Sequence, residues 1–418
     1  MSVRVTTLPS GLRVATERLD GVETAALGLY VGVGTRHETA EVNGAAHLLE
    51  HMVFKGTPRR DARAIAEEIE AVGGHMNAYT GREQTAFYAR VLADDIPLAI
   101  DLVSDITLNA TIDPEELARE RAVVLQEIGQ ANDTPDDVIF DHFQECAFPD
   151  QAMGRPTLGR AEIVAAMPRE ALTGFVDRHY APARMVFSTA GKVDHDQVVD
   201  LVGRAFAALD ARAEGPAEPS RYRGGERREE RDLDQVHVVL GFESCGVLDP
   251  DHHAMAVFST LLGGGMSSRL FQEVREKRGL VYSIYSFHSP FIDGGIFGIY
   301  AGTGEDEVAE MMPVICDQLS AVAHDLKPEE LQRAKAQMRA GLLMSRESTS
   351  SRSEQLAGHL LVLNRPWPVA EQLAAIEAVT EADIRRCARR LLASAPTLVG
   401  LGPVDKLEPL ERLRTRLG

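Results

Sequence analysis

Pro114-Glu115-Glu116-Leu117-Ala118-Arg119-Glu120 returns later in the chain as Pro328-Glu329-Glu330-Leu331-Gln332-Arg333-Ala334. Each segment starts on proline followed by acids, which is how helices begin. Proline lacks an N–H that the first turn cannot use, and carboxylates favour the positive end of the helix dipole. What precedes each segment also repeats. Phe87-Tyr88-Ala89-Arg90-Val91-Leu92 reads as a strand and leads into a helical stretch through Ile96, Ile100, Leu102 and Val103. Phe297-Gly298-Ile299-Tyr300-Ala301-Gly302 does the same before Val308, Met311 and Ile315. One order of strand, helix and helix in two places predicts a duplicated chain.

The break between the copies falls in a stretch rich in charge, with Pro216, Pro219, Gly224 and Gly225 and almost nothing apolar. It reads as a linker over residues 214–233, between an N-terminal domain (1–213) and a C-terminal one (234–418). Apolar alternation resumes at Val236-His237-Val238-Val239-Leu240. Strand patterns such as Arg13-Val14-Ala15-Thr16 and Ala25-Ala26-Leu27-Gly28-Leu29-Tyr30-Val31 lie close together in sequence. That favours antiparallel pairing and an α+β layout, each half a sheet with helices over one face.

Within the first half, Gly44-Ala45-Ala46-His47-Leu48-Leu49-Glu50-His51-Met52 is made of helix formers. Residues four apart share a helix face, so His47 and His51 can both reach one ion. Imidazole nitrogen suits zinc, and a catalytic zinc keeps a position open. Glu50 sits beside His51 and can take the proton of an attacking water without binding the metal, then pass it to the leaving amine. The pattern is H-x-x-E-H, the reverse of the commoner H-E-x-x-H. Two histidines leave the ion one protein ligand short. Glu120 and Glu127 are seven residues apart and face one way on a helix. Val123, Val124 and Ile128 predict that this side is partly buried, where a carboxylate needs a partner. Spacing alone does not choose between Glu120 and Glu127.

The bulk numbers exclude other classes. A chain of 418 residues, 44% hydrophobic and 26% charged, is long enough for two cores and is not disordered overall. A net charge of −19 argues against nucleic acid, whose binders carry a basic face, and favours basic partners if it favours any. The four cysteines, Cys146, Cys245, Cys316 and Cys387, are far apart and read as reduced thiols, as in a reducing compartment. The N-terminus has no basic-then-apolar leader and no run is long enough to cross a membrane. Cytoplasmic residence without a membrane partner is the expectation.

The H-x-x-E-H segment with its distant downstream glutamate resembles the pitrilysin/insulinase family of zinc metallopeptidases, nearest to the β-subunit of mitochondrial processing peptidase and its bacterial single-chain relatives. The likeness covers nearly the whole chain. It implies one zinc per chain, with Glu127, at the end of Arg121-Ala122-Val123-Val124-Leu125-Gln126-Glu127, as third ligand and Glu120 as a support that orients ligands. It makes Asn77-Ala78, in Gly73-Gly74-His75-Met76-Asn77-Ala78-Tyr79-Thr80, a sheet edge where substrate adds as a strand.

Further implications concern substrate. Arg275 and Tyr282, in Arg275-Glu276-Lys277-Arg278-Gly279-Leu280-Val281-Tyr282, are similar to the family's pair beside the scissile carbonyl, where a guanidinium and a phenol steady developing charge. Without the resemblance they would read as a salt-bridged helix residue and a strand-core residue. Asp137 and Asp141 match acids that recognise an arginine before the cut, and Phe54 matches an aromatic that contacts the residue after it. The second half shows Leu261-Leu262-Gly263-Gly264-Gly265-Met266 in place of the histidines, and Ala334 and Gly341 in place of Glu120 and Glu127. Relatives of this length pair into a clam-shell around a closed chamber, so a homodimer is implied, with the Arg/Tyr pair serving the partner's zinc. The expected activity is endopeptidase cleavage of unfolded peptides. The alternative is a non-catalytic scaffold of the same fold, or a maturase dedicated to one peptide.

Overall fold

The computed structural model describes residues 2–209 and 217–417. They form two compact units, each around one sheet. The strands are β1 (Ser2–Thr7), β2 (Arg13–Arg18), β3 (Thr24–Val31), β4 (His75–Thr80), β5 (Thr85–Leu92) and β6 (Met185–Gly191), then β7 (Gly225–Glu230), β8 (Val236–Ser244), β9 (Val281–Pro290), β10 (Gly295–Thr303) and β11 (Thr397–Gly402). The first sheet runs β1-β2-β6-β3-β5-β4 and the second β7-β11-β8-β10-β9. Within each, one pair is parallel, β2 with β6 and β7 with β11, and the rest are antiparallel. The fold is therefore α+β, as expected from the closely spaced strand patterns.

In the first unit, α1 (Ala45–Met52), α2 (Ala62–Ala71) and α3 (Ile96–Leu108) help to cover one sheet face. Leu48, Leu49, Ile65, Ile100 and Val103 close a core over Leu27, Leu29 and Phe87 of the strands. In the second, the helices His252–Gly263, Val308–Asp325 and Glu381–Leu392 bury Phe258, Met311 and Ile384 on Leu240, Phe242 and Phe297.

The structure differs from the expected layout in three respects. The units are not continuous halves: residues 130–154 belong to the second and 344–367 to the first. The chain leaves the first unit near the end of α4 (Pro114–Asn132), and α5 (Pro135–Ala147) packs on the second sheet. There Val138, Ile139 and Phe143 meet Val239, Ile296 and Val399. The Phe143 ring lies so close to Gly241 that a Cβ there would come within 2.2 Å of it. Reciprocally, the helix Thr349–Leu363 returns to the first sheet, with Leu356, Ala357 and Leu360 on Ala15, Tyr30, Ala86 and Val186. Each sheet thus carries a helix on its second face as well, because both faces of its central strands are apolar.

The third difference is the linker. Residues 214–216 lie outside the described residues, but residues 225–230 of the expected linker form β7, the edge strand beside β11. Its six residues, Gly225-Glu226-Arg227-Arg228-Glu229-Glu230, include no apolar side chain. Arg227 instead pairs with Glu145 at 2.9 Å and Arg228 with Glu226 at 2.6 Å. A charged edge strand resists pairing with other chains, and it gives no hydrophobic alternation to read.

Candidate metal centre

Helix α1 presents His47 and His51 on one side, their rings 4.8 Å apart and steeply inclined. Helix α4 crosses near them and brings Glu127 in: its Oε2 is 3.4 Å from His51 Nε2 and 3.7 Å from His47 Nε2. One ligand atom from each of these three residues falls within 4.8 Å of the others, and among the described residues no other group of three such side chains converges this way. Two imidazoles and one carboxylate are the donor set of a three-ligand catalytic zinc site.

Glu120, one heptad before Glu127, takes a different place. Its buried carboxylate puts Oε2 3.0 Å from His51 Nδ1, while Oε1 accepts from Lys55 Nζ at 2.6 Å. An acceptor at Nδ1 keeps the proton there and leaves the lone pair on Nε2, toward Glu127. Lys55 had no role in the sequence reading. It lies in the turn after α1, and its contact with Glu120 depends on tertiary placement. Of the apolar residues expected to bury this side of α4, Val124 is buried and Ile128 half-buried, but Val123 is 38% exposed.

The electrostatics suit the arrangement. Burial, helped by His51, pushes His47 down to about 4, so its imidazole is neutral near pH 7. Burial raises the Glu50 carboxyl, against hydrogen bonding from Thr80. Glu50 Oε2 is buried without a hydrogen-bond partner among the described residues. A carboxyl raised toward neutrality and not spent on a salt bridge is suited to exchanging protons.

The rest of the expected first-half residues lie around α1. Phe54, half-buried in the turn that follows the helix, lines a hollow of about 200 Å³ with Ile65, Ile69 and Met76. Asn77 and Ala78 are on β4, which ends the sheet and packs against α1. Asn77 Oδ1 accepts from the N–H of Ala78 at 2.9 Å, occupying a donor on this edge strand.

Asp137, Asp141, Arg275 and Tyr282 all belong to the second unit. The two acids are one turn apart on α5, Asp137 exposed and Asp141 half-buried. Arg275 holds its guanidinium 4.8 Å from the Phe271 ring centre and 5.7 Å from that of Tyr282. Tyr282 is 76% exposed, so the strand-core alternative for it fails. The pair is solvent-facing and mutually stacked.

The signature of the insulinase family of peptidases, M16, matches residues 13–161, and that of the M16 inactive domain matches 166–338. An uncharacterised zinc protease of Streptomyces coelicolor is 42% identical over 413 residues, covering 96% of this chain and 90% of its own. One from Mycobacterium tuberculosis is 42% identical over 426 residues, covering 100% and 97%.

This chain belongs to the M16 family of zinc proteases.

A probable β-subunit of the mitochondrial processing peptidase of Arabidopsis thaliana is 36% identical to this M16 protease over 429 residues, with 99% of this chain and 81% of the relative covered. Two solved structures share the fold. A protease from Helicobacter pylori gives a TM-score of 0.89 at 21% identity, with 96% and 99% covered. A chain of complex III2 from Candida albicans gives 0.90 at 22%, with both chains covered in full. The M16 inactive-domain match takes in Ala334, at the second-half counterpart of Glu120. No helix of the described residues is long and apolar enough to cross a membrane.

Proposed function

We propose that this M16 protein is an endopeptidase that cuts unfolded peptides laid along β4, with His47, His51 and Glu127 holding one zinc ion and Glu50 moving the proton. The observation that carries this reading is the convergence of three donor atoms from α1 and α4 with the Glu50 carboxyl beside them. When bound, zinc supplies positive charge to polarise the scissile carbonyl and makes water a stronger acid.

This chain's residues do the rest. Glu120, tethered by Lys55, keeps His51 turned with Nε2 inward. Glu50 takes a proton from the attacking water and returns it to the departing amine nitrogen. An extended peptide gains backbone hydrogen bonds along β4, and Asn77 gives up the Ala78 N–H to it, so affinity comes without demand on sequence. The hollow beside Phe54 takes an apolar side chain following the cut.

Arg275 and Tyr282 steady the carbonyl oxygen as charge develops, acting in the partner's site of a homodimer that closes a chamber around the peptide. Asp137 and Asp141 pair with an arginine before the cut, so basic peptides are preferred, in keeping with the net charge of −19. Against the scaffold alternative stands the convergence of the His47, His51 and Glu127 donor atoms within 4.8 Å of one another.

The test is Glu50→Gln, assayed with a quenched basic peptide and by metal analysis. Turnover falls by about 10²–10⁴ while zinc stays bound. A variant that keeps its rate removes Glu50 from the role of base.

A further inference from the structure

Helix α1 is only eight residues long, and it carries both histidines and Glu50. Its starting residue, Gly44, sits at φ +97°, in the left-handed region that favours glycine, and offers no side chain to the unpaired N–H groups of the first turn. The usual remedy, serine or aspartate at that position, is blocked. A Cβ on Gly44 would come within 2.8 Å of Val164 Cγ2 and 3.0 Å of the Leu158 oxygen.

Glu38 fills the gap from outside the helix. Its carboxylate is 3% exposed and accepts three hydrogen bonds. Oε1 takes the N–H of Ala46 at 2.8 Å, and Oε2 takes the N–H of Gly44 and the Asn43 side-chain amide, each at 2.9 Å. Asn43 is itself fully buried and braced by a second bond to the Pro156 oxygen at 3.2 Å. Arg155 holds the Glu38 backbone oxygen from behind. Ala46 directly precedes His47, so the carboxylate grips the backbone one residue from a proposed ligand. A displacement of about 1 Å in a reacting group can cost on the order of a hundredfold in rate, so the placement of this short helix matters more than its small size suggests.

We propose that Glu38 is a positioning residue for the metal-bearing helix. Its buried carboxylate sets the start and tilt of α1, and through them the placement of His47, Glu50 and His51. The inference rests on reading these histidines with Glu127 as the zinc site. Three donors meet two oxygens of one carboxylate, so the isosteric amide cannot replace it: glutamine would turn an NH₂ group toward at least one N–H.

The experiment compares wild type with Glu38→Gln and Asn43→Ala. Zinc affinity is measured by competition with a chromophoric chelator, and kcat and KM are measured separately on one peptide. Glu38→Gln is expected to weaken zinc binding by about tenfold or more, the scale seen when a ligand's supporting contacts are lost. It should lower kcat and leave KM in place, because β4 is untouched. Asn43→Ala, which loosens the carboxylate without removing it, shifts zinc affinity the same way by a smaller factor, and it decides the matter if Glu38→Gln does not fold. Unchanged zinc affinity in the folded variants overturns the proposal, as does a loss shared equally by kcat and KM. Wild-type protein that binds no zinc would sink the metal-site reading, whereas wild type and variants binding it equally well would sink this inference alone.

Discussion

The two sheets share a plan strand for strand. β2-β6-β3-β5-β4 in the first corresponds to β7-β11-β8-β10-β9 in the second, with the one parallel pair at the same end; β1 is the first sheet's only addition. The helices above them do not share their chemistry. α4 carries Glu120 and Glu127, and the helix Pro328–Ser345 has Ala334 and Gly341 at the matching positions. Ala334 is buried in the second core, and around Gly341 an added Cβ would meet nothing. A small hollow of about 10 Å³ lies beside Ala334, lined also by Leu261, Ser267 and Gln337. The second unit completes the architecture without the metal constellation, so metal binding is an addition to this fold and not one of its supports.

The largest expected effect on that contrast is metal removal. Chelation should lower peptide hydrolysis by at least about a hundredfold, since the ion supplies several kcal/mol of charge stabilisation. Far-ultraviolet circular dichroism of the stripped protein should match that of the loaded form. Unfolding of the first unit on metal loss would make zinc structural there and break the parallel.

Acid should act on both units alike and more gently. Burial lowers His37, His47, His179, His195 and His359 in the first, and His142, His237, His252, His253 and His288 in the second, several of them to about 4. A histidine held neutral in the fold but free to ionise when unfolded contributes stability that is complete above its ordinary value of 6.5 and drains away as pH falls toward its folded value. Glu38, pushed up to about 7 by burial, works in the opposite sense and offsets part of the loss in the first unit. Hydrogen exchange of the metal-free protein between pH 7 and pH 4 should therefore show both units weakening. A response confined to one would separate them.

The smallest effect tests the vacated ligand position. Gly341→Ala should stabilise the second unit by about 0.5–1 kcal/mol, because a mid-helix glycine costs about that much relative to alanine and the site is open. A destabilised variant in thermal melting would mean that Gly341 is packed in some way its surroundings do not suggest.

Much of this was readable in the chain. The H-x-x-E-H segment predicts a metal helix because its spacing is local, and the duplication shows because each copy keeps its Pro-Glu-Glu-Leu helix start. The choice between Glu120 and Glu127 was not readable from spacing. Both face α1, and only the crossing of the two helices sends one carboxylate to Nδ1 of His51 and the other to Nε2 of both histidines. Lys55 and Glu38 stayed hidden because their roles depend on contacts that sequence distance does not encode. β7 was hidden by its charges. α5 and the helix Thr349–Leu363 were not placed by the sequence, because periodicity says that a face must be covered and not by which sheet.

The exchange of those two helices has a consequence for how the protein is made. α5 leaves the ribosome before any strand of the sheet it caps, and its apolar side must wait for β8, β10 and β11. The first sheet has the opposite problem: β6 completes it early, yet Leu356, Ala357 and Leu360 arrive only after four strands of the second sheet have been translated. Between the completion of β6 and the arrival of the helix Thr349–Leu363 the nascent polypeptide therefore exposes two greasy surfaces that have no mates. A gene fragment stopped at residue 213 would yield a sheet bare on one side and a helix with nothing to cover. Neither half of this gene encodes a finished body.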